Sequence, residues 1–264
     1  MNQPLAYVHP SAKIADTVVI EPFTTIHKNV EIGEGTWIGS NVTIMEGARI
    51  GKNCRIFPGA VISAIPQDLK FEGEDSLAVI GDGTIIRECV TINRGTKANG
   101  QTTIGKNCLL MAYAHVAHDC IIGNHCIIVN GVALAGHIVM GDFAILGGLS
   151  AVHQFVTIGS HAMVGGGSLV RKDIPPYVKA AKEPISFAGI NSIGLRRRGF
   201  DNTKINEIQD IYRVLFQKNF NTTQAGEIIE TEFHPTKERD EILTFIKNSQ
   251  RGIMKGFSLS KFAG

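Results

Sequence analysis

The 264-residue sequence is short of aromatics, of net charge and of long apolar runs. Phe, Tyr and Trp together make 7% of it against a hydrophobic fraction of 44%, which fits a globular protein with an aliphatic core. No stretch approaches the roughly 18 continuous apolar residues of a membrane-spanning helix. The opening MNQPLAYVHPSAKI has no basic segment followed by an apolar run, so no signal peptide is expected. The net charge is only +2, and no nucleic-acid-binding motif or interleaving of aromatics with basic residues accompanies it. A nucleic-acid partner is therefore not expected. The five cysteines do not read as a disulfide framework, which points to a reducing, cytoplasmic setting.

What the sequence has is a period of six. An apolar residue recurs in one unbroken frame from Val8 through Ile14, Ile20, Ile26 and onward to Val164 and Val170. Only Asp68, Glu74 and Ala98 break it. Neither helical periodicity nor strand alternation produces this spacing. A fixed hexapeptide repeat signals a parallel β-helix, in which each hexapeptide supplies a short strand and a corner. The residue four places after each large one is small or β-branched, as at Val18, Val42, Cys54, Cys108, Cys120 and Cys126, so two positions per hexapeptide face inward. Glycine often follows the large residue (Gly33, Gly51, Gly105), where it relieves crowding and permits φ > 0 at a corner. No single coil can bury its apolar face, so stability must come from stacking.

The frame's gaps fall in two polar stretches, 63–79 (SAIPQDLKFEGEDSLAV) and 97–103 (KANGQTT), expected to leave the solenoid as loops, where binding residues tend to sit. Pro175 and Pro176 are expected to end the solenoid, with a connector to about Phe200. Helical spacing then appears at Ile205, Ile208, Ile211, Tyr212 and Leu215, with Asp201 or Asn202 as N-cap. A second helix is expected after Thr222 or Thr223, and a third from Thr236 to about Arg251. The last residues, KGFSLSKFAG, are expected to be ordered only by docking. The division is thus a β-helix over 1–190 and a small C-terminal α-helical domain over 191–264. Residues 171–204 carry eight basic and three acidic groups, including Arg196, Arg197 and Arg198, a patch suited to an anionic partner.

None of the nine histidines takes the large inward slot. His118, His137 and His153 are separated by 19 and 16 residues, each close to one coil, and can line one outer cleft. A lone exposed histidine is usually just solvated; three stacked beside a basic segment are less so. A histidine is well matched to proton abstraction at neutral pH, and a carboxylate such as Asp119 can hold its tautomer. Adjacent residues often point apart, so the sequence leaves a contact between His118 and Asp119 open. No serine or cysteine lies in a nucleophile motif, which favours direct attack by a substrate hydroxyl.

The block HVAHDCIIGNHCIIVNGVALAGHIVMGDFAILGGLSAVHQFVTIGSHAMVGG, with PPY at 175–177 and NSIGLRRRGF at 191–200, closely resembles the bacterial UDP-N-acetylglucosamine acyltransferase family of lipid A biosynthesis. The resemblance covers the whole chain, including the QDLKFEGE loop. It implies triangular coils of about 18 residues and a left-handed winding, an exception to the usual right-handed crossover. It implies a homotrimer with clefts between neighbours, transfer of an (R)-3-hydroxyacyl chain from acyl carrier protein to the 3-hydroxyl of UDP-N-acetylglucosamine, and no metal or redox cofactor. It gives His118 the role of general base, Asp119 that of the acid beside it, and the Gly136 backbone N–H that of oxyanion donor. His115, His137, His153 and Gln154 match further site positions. Asp68 and Lys70 match residues holding the sugar from the neighbouring subunit. Asn191, Arg197 and Arg198 match positions near uridine and phosphates, and Gly166 matches the position limiting acyl-chain length. Ser192 stands where better-known relatives carry Glu. The alternatives are another hexapeptide acyltransferase; a γ-class carbonic anhydrase-like enzyme with zinc on His115, His118 and His137; and a structural solenoid, which would show flat Thr or Asn faces. The related N-acyltransferase carries an extra N-terminal domain, whereas here repeats begin at Val8.

Overall fold

A computed structural model describes residues 4–217 and 220–256. The inward frame becomes the core. Large residues from Ile20 to Val170 and the small residues four places after them lie in one buried cluster. Val8 and Ile14, on the first described coil, are only partly covered. Full burial of an aliphatic side chain of this size contributes roughly 1.5–3 kcal/mol, and the coils multiply that contribution by stacking. Where a small slot holds Thr or Cys, its side chain donates to the carbonyl of a following corner: Thr36 Oγ1 to Gly51 O at 2.9 Å, Cys108 Sγ to Gly123 O at 3.1 Å and Cys126 Sγ to Gly141 O at 3.2 Å. The cysteines therefore satisfy backbone acceptors as well as filling space.

The strands form three sheets of nine, eight and eleven strands, parallel except for one pair, and the fold is a left-handed parallel β-helix followed by helices. Most pairs step by 18 residues, as in Val19 to Trp37 to Arg55. Two steps are longer: Arg55 pairs with Ile85 and Ile85 with Leu109, steps of 30 and 24. The insertions are thus two hexapeptides and one, which accounts for the three failed slots. Being multiples of six, they leave the frame downstream undisturbed.

The first loop is shorter than its expected bounds, and the second is displaced three residues toward the N-terminus. One strand runs to Ala64, another starts at Leu77, and a third covers Gln101–Ile104, because Leu77 to Ile80 pairs residue for residue with Gln101 to Ile104. The irregular segments are 65–76 and 94–100. The corner geometry also differs from expectation. Left-handed backbone falls three places after the large residue, at Asn29, Asn41, Asn53, Asp119 and His137. The glycine directly after the large residue serves close stacking instead: a Cβ on Gly105 would lie 2.5 Å from Gly123 O in the next coil.

Pairing continues past the two prolines. Val178–Ala181 adds to the eleven-stranded sheet and turns back antiparallel into Ser186–Ile190, so the expected connector is a hairpin. Helix α1 spans Ser192–Arg197, α2 Asn202–Gln217, α3 Thr222–Glu232 and α4 Lys237–Asn248. The periodicity of 202–248 is realised; α1 lay hidden in a six-residue stretch with a glycine and two arginines. Tyr212 Oη donates to Pro176 O at 2.6 Å, and the Phe187, Tyr212 and Phe216 rings stack, fastening α2 to the solenoid. The chain returns to the hairpin at Lys255–Gly256; the rest of the expected terminal segment lies outside the described residues. Among the described residues no helix is long and apolar enough to cross a membrane.

Candidate active site

Successive coils place residues 18 apart on the same corner. Asp119, His137 and Phe155 form one such ladder, each with φ near +60°. Asp and His tolerate this conformation better than a bulky residue does, so Phe155, still 54% exposed, is held there against its preference. It stacks on His137 with centroids 4.7 Å apart. The sequence signal for Phe155 was only its place in the AVHQF block.

The left-handed turn at Asp119 brings its carboxylate back onto its own neighbour: His118 Nδ1 lies 2.8 Å from Asp119 Oδ2. The two residues are buried. Asp119 Oδ1 accepts from the Thr96 N–H at 3.0 Å and the Asn99 N–H at 3.3 Å, while Oδ2 also accepts from the Thr96 hydroxyl at 2.7 Å. Burial opposes the charge on Asp119, but the Thr96 amide, His118, the Thr96 hydroxyl and nearby His137 together hold its carboxyl below the usual range. An ionised Asp119 fixes the Nδ1–H tautomer of His118 and leaves Nε2 as the basic nitrogen. Nε2 faces Asp68, whose Oδ2 is 4.0 Å away within the same chain; the resemblance had assigned the matching residue to a neighbour. His137 Nε2 lies 3.7 Å from Asp119 Oδ2. Burial, reinforced by the charge of His118, holds His137 below its ordinary pKa.

Gly136 sits against this pair. A Cβ there would lie 2.6 Å from His118 Cε1 and 2.7 Å from Nε2. Its φ is unremarkable, so the glycine is required by proximity to the imidazole. Lys70 is exposed, and its N–H donates to Asp68 Oδ1 at 3.0 Å. His115 shares a hydrogen bond of 2.7 Å with Thr91 Oγ1 and is pushed to lower pKa by burial. His153 is exposed, its Nδ1 3.1 Å from the Gln154 carbonyl. Gln154 occupies the position of His118 and Gly136 one coil further on.

Asn191, Arg197 and Arg198 are not part of this corner. Asn191 and Arg198 sit at a second corner ladder, His125, Phe143, His161 and Tyr177, whose rings stack in sequence. Arg198 donates to Phe143 O at 3.1 Å and covers its ring, while its buried Nη1 has no partner among the described residues. Asn191, expected beside the nucleotide, is buried: Nδ2 donates to His161 O and Oδ1 caps α1 by accepting from the Gly194 N–H. Its polar atoms are thus engaged by the fold. Arg197 is exposed, and Ser192 heads α1. The outer face of the eight-stranded sheet, with exposed Ile121 and Val139, separates the two corners in one chain.

Burial, with Arg198 adding, pushes His161 to a pKa of about 4. The unfolded chain then binds this proton first as pH falls from about 6.5, so stability should decline between pH 6.5 and 4 and level off below. His161→Phe is expected to flatten part of that limb in urea midpoints measured against pH; an unaltered slope would refute the assignment.

His118, Asp119 and His137 place three possible ligand atoms within 4.8 Å of one another. His115, expected in a zinc set, is tied to Thr91 instead. The donor set fits a metal poorly, since each Asp119 oxygen already accepts two hydrogen bonds. Prolonged chelation is therefore expected to leave turnover unchanged, checked by assay beside elemental analysis; loss restored by zinc would favour the metal reading.

A parallel β-helix of hexapeptides with an oriented His–Asp pair on its outer edge defines a hexapeptide-repeat transferase. A family model for the bacterial transferase hexapeptide matches residues 29–64 and 101–136, and one described as UDP N-acetylglucosamine O-acyltransferase, domain 2, matches 173–254. The acyl-[acyl-carrier-protein]–UDP-N-acetylglucosamine O-acyltransferase of Chlorobium phaeobacteroides is 58% identical over 94% of this chain and 94% of its own length. That of Trichlorobacter lovleyi is 52% identical over 95% and 98%. The crystal structure of the UDP-N-acetylglucosamine acyltransferase from Bacteroides fragilis superposes with a TM-score of 0.95 at 51% identity, covering 97% of this chain and all of that one. The chain belongs to the UDP-N-acetylglucosamine O-acyltransferase family.

Proposed function

We propose that the protein transfers an (R)-3-hydroxyacyl chain from acyl carrier protein to the 3-hydroxyl of UDP-N-acetylglucosamine, the first step of lipid A biosynthesis. The observation that carries the mechanism is the His118–Asp119 pair, with Nε2 directed toward Gly136 and Asp68. His118 Nε2 removes the proton of the sugar hydroxyl as its oxygen attacks the thioester carbonyl carbon. The C=O electrons move onto oxygen, and the Gly136 N–H faces that oxyanion. The carbonyl then reforms, the C–S bond breaks, and the imidazolium returns its proton to the departing thiolate. Asp119 stabilises the imidazolium throughout. Asp68, Lys70, His115, His137, His153 and Gln154 line the sugar and acyl cleft. The Arg198 guanidinium, whose Nη1 has no partner among the described residues, serves the diphosphate with Arg197; Asn191 contributes by capping α1.

The separation of the two corners favours a homotrimer. One chain's Arg198 corner and its His118 corner flank an exposed apolar sheet face, so packing of neighbours would bring unlike corners together. We also take 1–190 and 191–264 as the two domains, and a cytoplasmic location as the setting. An acyl-transfer assay with UDP-N-acetylglucosamine and a panel of hydroxyacyl carrier proteins tests the reading. Ester formation at the sugar is expected; transfer only to another acceptor would overturn it.

Gly166 lies beside Gly148 one coil away, and a Cβ there would meet Gly148 O at 3.1 Å. The left-handed corner belongs to Gly167, so Gly166 is not held for its φ. Gly166→Met is expected to favour shorter donors by an amount comparable to one or more methylenes, each about 1–3 kcal/mol. Competition between donors of different length reads the ratio directly. An unchanged ratio in the folded variant would remove Gly166 from chain-length selection.

A further inference from the structure

We infer that Thr96 is a positioning residue for acyl transfer, setting the acid of the His118–Asp119 pair; the inference rests on the reading of that pair as the catalytic base. Thr96 is buried on the shorter of the two insertions and gives Asp119 two hydrogen bonds, one from its amide and one from its hydroxyl. Asn99, in the same segment, and Thr102, in the strand that follows it, engage the same residue. The Asn99 N–H and Nδ2 donate to the Asp119 carboxylate and carbonyl, and the Asp119 N–H donates to Thr102 Oγ1 at 2.8 Å. Thr96 and Asn99 of the irregular segment 94–100, with Thr102 just after it, thus form a cradle around Asp119. The twelve-residue insertion delivers Asp68 to the opposite, Nε2 side of the same imidazole. The two breaks in the repeat converge on one histidine from its two nitrogens.

The Thr96 hydroxyl acts where a packing residue would not. It donates to Oδ2, the same oxygen that accepts from His118 Nδ1. It therefore fixes the direction of that lone pair and draws off part of its charge. Without it, Asp119 can rotate away from the imidazole, and the Nδ1–H of His118 loses the acceptor that orients its ring. The other charged groups facing this imidazole are Asp68 and His137, and neither touches Thr96.

Thr96→Val keeps shape and amide while removing the hydroxyl; Thr96→Ser keeps the hydroxyl. The valine variant is expected to lower kcat about tenfold, the equivalent of one hydrogen bond to a charged group. KM for UDP-N-acetylglucosamine should stay within about twofold, so that the loss falls on kcat. Serine should restore the parental kcat. If valine does not fold by thermal melt and circular dichroism, Thr96→Ala carries the same expectation. Parental kcat in the valine or alanine variant, with Asp119→Asn strongly impaired, would overturn the role of Thr96 alone. So would a uniform loss that serine fails to rescue. A near-parental Asp119→Asn would instead overturn the reading of the pair and this inference with it.

Discussion

Alanine in place of His118 is expected to lower kcat by roughly 10²–10⁴-fold, the range lost with a positioned general base. The fold should survive. His118 lies on the outside of the coil next to the inward Val116 and Ala114, and removing an imidazole from the edge opens no cavity in the aliphatic ladders. One cost is local: Asp119 loses a charge-assisted partner, but its carboxylate keeps the three hydrogen bonds from Thr96 and Asn99. Circular dichroism and a thermal melt should therefore look parental beside a near-dead assay. Turnover close to parental in the folded variant would take His118 out of the mechanism, and with it the assignment of Asp119.

Gly136→Ala should be nearly as damaging, although it adds one methyl and leaves the backbone N–H in place. The methyl carbon would lie 2.6–2.7 Å from His118 Cε1 and Nε2, closer than non-bonded atoms come, so the imidazole or the backbone must shift. A displacement of the order of 1 Å in a reacting group can cost about 10²-fold. The loss should fall on kcat. A variant at parental kcat would mean that the ring can move without consequence, which is incompatible with a base held by Asp119 on one side and by Gly136 on the other.

The two sites illustrate different degrees of legibility. The block around residues 115–155 pointed to His118, Asp119, His137 and Gly136 by resemblance, and the period of six located them outside the coils. That His118 and Asp119 meet was not readable, because sequence neighbours in extended backbone diverge; the contact exists because Asp119 turns left-handed. Thr96 and Asn99 gave no signal, since they lie 23 and 20 residues before Asp119 and reach it only through an excursion from the solenoid. Asn191 shows the reverse: a position matched to nucleotide binding proves to be occupied with capping a helix too short to be recognised by periodicity.

By itself the sequence determined the architecture. One buried large residue and one buried small residue per hexapeptide admit a single way of hiding both, a coil stacked on copies of itself, and insertions of six and twelve residues pass through that code without shifting it. The tertiary structure decided what the insertions are for and which residues share a corner. Those depend on register between coils 18, 24 or 30 residues apart, and on where a loop's side chains land once it leaves the repeat. Local spacing carries burial because burial repeats along the chain. It does not carry convergence, because the contacts that orient His118 occur once and are long-range.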